Sequence, residues 1–84
     1  MVTMKNDEIL KISDLTLATT LLFLGYKFVY LDMTNPSRIV FEFSKNKSIQ
    51  ETIDKYWSGQ ISVEPKNFNN IQRELKARIR SLQK

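Results

Sequence analysis

Five cations near the C-terminus, Lys66, Arg73, Lys76, Arg80 and Lys84, are spaced so that a single helix gathers them on one face. At about 100° per residue they fall within an arc of roughly 80°. The chemistry open to such a face is ionic. Lysine and arginine head groups held in a row can pair with the phosphate oxygens of a nucleic acid, or with an acidic protein surface. The charge along the chain is unbalanced in the same sense: residues 1–64 carry seven Lys or Arg and eight Asp or Glu, whereas residues 65–84 carry six and one. An imbalance of this kind marks the C-terminal segment for an electrostatic partner. A solvated face that only keeps a small protein soluble has the same composition, and stands as the plain alternative.

A second constellation lies in the middle of the chain, where Phe28, Tyr30 and Val40 fall near Arg38 on one side of an expected hairpin. Aromatic and cationic groups on a strand surface can stack unpaired bases. If a helix covers that side instead, Phe28 and Tyr30 are ordinary core residues. Tyr56 and Trp57 read first as core anchors, with Trp57 alternatively an exposed contact at a partner surface. Phe28, Tyr30, Arg38 and Trp57 are therefore accessory candidates beside the basic face.

Catalytic groups are scarce. The chain has no His and no Cys, which removes the two commonest general bases and nucleophiles together with thiolate metal sites and disulfides. The carboxylates that come closest to pairing, Asp7 with Glu8, Asp32 with Glu42, and Glu51 with Asp54, sit where capping, strand solubility or a solvated helix face accounts for them. The only glycines, Gly25 and Gly59, are isolated and read as helix terminators, so no phosphate-cradling loop can form. These features predict a protein that is not an enzyme and needs neither cofactor nor metal.

The elements that must position the cations can be read from the pattern of apolar residues. Glu8 to Ile12 can form a first strand or an ordered lead-in. Ser13 and Asp14 offer capping oxygens for a helix running to about Leu24, with Gly25 as its left-handed terminator. Its apolar residues Leu15, Leu17, Ala18, Leu21, Leu22 and Leu24 leave mainly Thr16, Thr20 and Phe23 outside, which predicts the central helix of the core. Lys27 to Met33 and Arg38 to Ser44 form a hairpin around Thr34-Asn35-Pro36-Ser37. Strict alternation sets Val29, Leu31 and Met33 with Ile39, Phe41 and Phe43 on one face, and Phe28, Tyr30, Asp32, Arg38, Val40 and Glu42 on the other.

Ser48 and Glu51 have capping-box spacing for a second helix with Ile49, Ile53, Tyr56 and Trp57 on one side, ended by Ser58-Gly59. Gln60 to Glu64 can add a brief strand. Pro65 opens a third helix whose Phe68, Ile71, Leu75, Ile79 and Leu82 form a single apolar seam nearly opposite the cations, with Arg78 flanking it. The expected fold is α+β, in the order β-α-β-β-α-(β)-α, a central antiparallel hairpin packed by three helices. Residues 1–84 read as one compact domain, with residues 1–7 a loose lead-in. The absence of a signal-peptide pattern or a spanning apolar run points to the cytoplasm, with no role in a membrane.

Taken together, Ser13-Asp14-Leu15, Leu17-Ala18, Leu22 with Leu24-Gly25-Tyr26, Val40-Phe41-Glu42-Phe43, Tyr56-Trp57 with Gly59, Val63 with Pro65, Phe68, and Leu75-Lys76 with Arg78-Ile79 resemble an uncharacterised domain-of-unknown-function family. It is a family of short proteins from bacteria and their phages, and the resemblance covers roughly residues 9–80. It implies a bacterial or viral origin, hence a bacterial cytoplasm or an infected host cell, and carries over no catalytic residue. Two functions follow as expectations. One is a small basic protein that binds the nucleic-acid phosphate backbone, DNA or RNA, through Lys66, Arg73, Lys76, Arg80 and Lys84. The other is a protein-interaction module, such as a phage factor docking on an acidic surface of a host enzyme or a component of a larger assembly. Oligomeric state stays open, because the seam of the third helix can pack within the chain or against a partner helix.

Overall fold

The computed structural model describes residues 9–82, so the expected lead-in at residues 1–7 and the terminal Lys84 lie outside the described residues. Six elements follow in order: β1 (Ile9–Ile12), α1 (Leu15–Phe23), β2 (Phe28–Asp32), β3 (Val40–Ser44), α2 (Lys47–Trp57) and α3 (Pro65–Leu82). This is the expected α+β order without the brief strand at residues 60–64. That segment has no strand partner among the described residues, although Ile61 and Val63 are half-buried along it.

The three strands form an antiparallel sheet in the order β1-β3-β2, so β3 is central and β1 extends the hairpin on its far side. Strict alternation fails at one point. Phe28 stands opposite Phe43 and Tyr30 opposite Glu42, which leaves Val29 as an extra residue in a β-bulge. The bulge resets the face on which each side chain emerges. Phe28 therefore joins Leu31 on the core side, not Tyr30 on the other side, and its ring meets Phe41 and Phe43 edge-on at 5.9 and 6.3 Å between centroids. Val29, expected inside, is exposed.

Helix α1 begins where the Asp14 side chain accepts hydrogen bonds from the Thr16 and Leu17 amides at 2.9 and 3.1 Å. It ends in a paired turn, with the Gly25 amide bonded to the Leu22 carbonyl at 3.1 Å and the Tyr26 amide to the Leu21 carbonyl at 2.9 Å. That closure needs a left-handed residue, and Gly25 supplies it with φ of 102°. The helix is central, as expected: it packs against α2, α3 and β1. Of the threonines expected outside, Thr16 is exposed but Thr20 is buried, and so is Thr19 beside it. Each hydroxyl bonds the carbonyl one turn earlier, Thr19 to Leu15 at 2.7 Å and Thr20 to Thr16 at 2.8 Å, which removes the cost of burying a free hydroxyl.

The cap of α2 falls two residues before the expected Ser48. Asn46 is extended, and its side-chain oxygen accepts from the Ile49 amide at 2.9 Å. Ser48, already inside the helix, meets the Tyr26 hydroxyl at 2.5 Å, and Thr52 meets the same hydroxyl at 3.1 Å. These bonds tie the end of α1 to the first turns of α2 and hold the Tyr26 phenol below its ordinary pKa. Around these contacts Ile12, Leu17, Ala18, Leu21, Phe41, Phe43, Ile49 and Leu75 make one buried cluster drawn from the sheet and all three helices.

Candidate nucleic-acid interface

Helix α3 is the longest element, and its start is fixed by a carboxylate. The two Glu64 oxygens accept from the Lys66 and Asn67 amides at 3.1 and 2.8 Å, while the Glu64 carbonyl accepts from Phe68 at 2.9 Å. Pro65 takes the first helical position, where no amide proton is needed. The seam orients the rest. Leu75 is buried, Phe68, Ile71 and Ile79 are half-buried, and the Gln72 amide reaches the Thr19 hydroxyl of α1 at 3.5 Å. Leu82 continues the seam yet is 55% exposed.

With that side committed to the core, Lys66, Arg73, Lys76 and Arg80 are all exposed on the other. From Lys66 to Arg80 the row runs about 21 Å at 1.5 Å per residue. Lys84, the fifth expected member, lies outside the described residues. Arg78 does not join the row: its guanidinium carbon stands 5.4 Å from the centroid of the Phe28 ring.

The accessory candidates are not gathered beside these cations. Phe28 belongs to the core side of the sheet and is half-buried, so it is not part of a stacking surface. Tyr30 is 58% exposed on the opposite face, which no described helix covers, in a row with Lys11 and Glu42 across the strands. The helices cover one side of the sheet and Tyr30 stands on the other, so Tyr30 and the row on α3 face away from each other. Arg38 is exposed next to the hairpin turn, with its Nη2 donating to the Ser13 hydroxyl at 3.4 Å. Trp57 is 65% exposed at the end of α2 and is not the core anchor expected first. The anchor is Tyr56, half-buried with its phenol raised above its ordinary pKa by burial; the two rings meet edge-on at 5.0 Å.

One feature escaped the sequence reading. Leu22, Phe28, Ile71, Glu74, Leu75 and Arg78 line an open cleft of about 350 Å³ between α1, β2 and the flank of α3. The available signal was the spacing of Glu74 and Arg78, one turn apart on the flank of the seam. Among the described residues, no group of three or more His, Cys, Asp or Glu could hold a metal ion. No described helix is long and apolar enough to cross a membrane.

The sequence model of a family described as a domain of unknown function (DUF5659) matches residues 7–81, a span that takes in all six elements. The chain has no significant match among curated proteins or solved structures.

Proposed function

This chain belongs to the DUF5659 family, whose activity is unassigned, and we propose from the geometry of α3 that it is a non-enzymatic protein binding the nucleic-acid phosphate backbone. The observation that carries the proposal is the exposed row Lys66, Arg73, Lys76 and Arg80 on the face of α3 turned away from its buried seam. Each head group is free to replace a counterion condensed on the phosphates, and the release of those ions drives association. The row touches backbone and not base edges, so binding follows charge density with little regard for sequence. A row about 21 Å long on a helix presents its cations at fixed positions with little ordering cost at the moment of binding.

This reading places the protein in the cytoplasm, of a bacterium or of a cell infected by its phage, where nucleic acid is at hand. Its test is the salt dependence of affinity. Neutralising about four phosphates lowers affinity about a hundredfold between 50 and 200 mM salt. A double Arg73→Ala, Arg80→Ala variant loses most of the affinity while keeping its fold. Binding that ignores both salt and those substitutions sinks the proposal.

Trp57 favours a second reading. A tryptophan 65% exposed on a small domain is the type of side chain that anchors a protein interface, and an acidic partner surface could meet the α3 cations as well. In that case Trp57→Ala abolishes a stoichiometric complex that survives nuclease treatment.

A further inference from the structure

We infer that the flank of α3 bearing Glu74 and Arg78 is a docking surface for a second copy of this chain, paired antiparallel about a two-fold axis at the level of Lys76. Glu74 and Arg78 lie one turn apart, about 6 Å along the helix, at the rim of the cleft lined by Leu22, Phe28, Ile71 and Leu75. An acidic protein or a phosphate strand that satisfies Arg78 is repelled by Glu74. An antiparallel copy of α3 satisfies both, because the two-fold sets each Glu74 opposite the Arg78 of the other copy.

The same axis supplies the apolar part of the contact. Six residues beyond Lys76, Leu82 of the second copy comes level with position 70 and so lies over Ile71 at the mouth of the cleft. Leu82 is the exposed end of a seam that is otherwise buried or half-buried, so this pairing removes apolar surface from water on both copies. The exposed row of Lys66, Arg73, Lys76 and Arg80 is centred roughly 140° around the helix from this flank, so most of the like charges of the two copies point away from the contact. The dimer thus carries two basic faces, both turned away from the contact. About three turns of helix bury less than the ~800 Å² per partner of a standard interface, so association is weak and reversible.

The inference stands whether or not α3 binds nucleic acid. Its test is sedimentation equilibrium of the full chain from about 10 μM to about 1 mM. The wild type shows concentration-dependent dimerisation. Glu74→Arg and Arg78→Glu each set like charges against each other twice and weaken self-association about tenfold or more. An equimolar mixture of those two variants places opposite charges at both contacts and dimerises again. Leu82→Ala weakens the wild-type dimer. A wild type that stays monomeric to about 1 mM overturns the proposal. So do single variants that associate like wild type, or a mixture of folded variants that stays monomeric. If Arg78→Glu does not fold after losing its place over Phe28, Glu74→Arg and Leu82→Ala, both at exposed positions, decide the question.

Discussion

Arg78 lies over the ring of Phe28, its guanidinium carbon 5.4 Å from the ring centroid. The contact joins the C-terminal half of α3 to the first residue of β2, and it separates this arginine from the exposed cations on the other side of the helix. A guanidinium on an aromatic face at a partly wet site contributes about 0.5–1 kcal/mol. Arg78→Ala is therefore expected to lower the unfolding free energy by about that amount in urea denaturation. Arg73→Ala leaves stability within about 0.5 kcal/mol of wild type and weakens nucleic-acid binding more than Arg78→Ala does. Equal effects of the two substitutions on both properties would contradict the division of labour.

The bulge at Val29 makes a second contrast. Phe28→Ala removes a ring packed against Phe41 and Phe43 and is expected to cost about 3 kcal/mol. Val29→Thr, one position on, alters a side chain that is 57% exposed and without a cross-strand partner, so the change stays within about 0.5 kcal/mol. Comparable losses at both positions in denaturant titrations would mean that β2 pairs in strict alternation.

Asn46, not Ser48, caps α2, and the two residues act through different partners. Asn46→Ala is expected to cost about 1 kcal/mol through the lost bond to the Ile49 amide. Ser48→Ala acts through the Tyr26 hydroxyl, so its effect is coupled to Tyr26→Phe in a double-mutant cycle, whereas the effect of Asn46→Ala adds to both. Additivity of Ser48→Ala and Tyr26→Phe would argue against the link between α1 and α2.

The helices were legible in the sequence because their ends are written in local chemistry: Asp14 and Gly25 for α1, Gly59 for the end of α2, Pro65 for the start of α3. So was the basic row, since periodicity alone separates Lys66, Arg73, Lys76 and Arg80 from Phe68, Ile71 and Leu75. What the sequence did not reveal depended on contacts between distant segments. The bulge at Val29 is invisible to a two-residue alternation until Phe43 and Glu42 are aligned opposite β2. The choice of Asn46 over Ser48 follows from Tyr26 engaging the serine from 22 residues away. Trp57 shares a helix side with Ile49 and Ile53, but it stands at the last turn, beyond the edge of the core. The cleft beside Glu74 and Arg78 exists only once α1 and β2 are folded against α3.

The part that the exposed cations of α3 play in binding can be measured by fluorescence anisotropy of labelled single- and double-stranded oligonucleotides at 50 and 200 mM salt. Binding in the micromolar range is expected at low salt, weakening about a hundredfold at the higher salt and largely lost in the Arg73→Ala, Arg80→Ala protein. No binding at low salt, or binding indifferent both to salt and to those two arginines, would rule out phosphate-backbone recognition by α3.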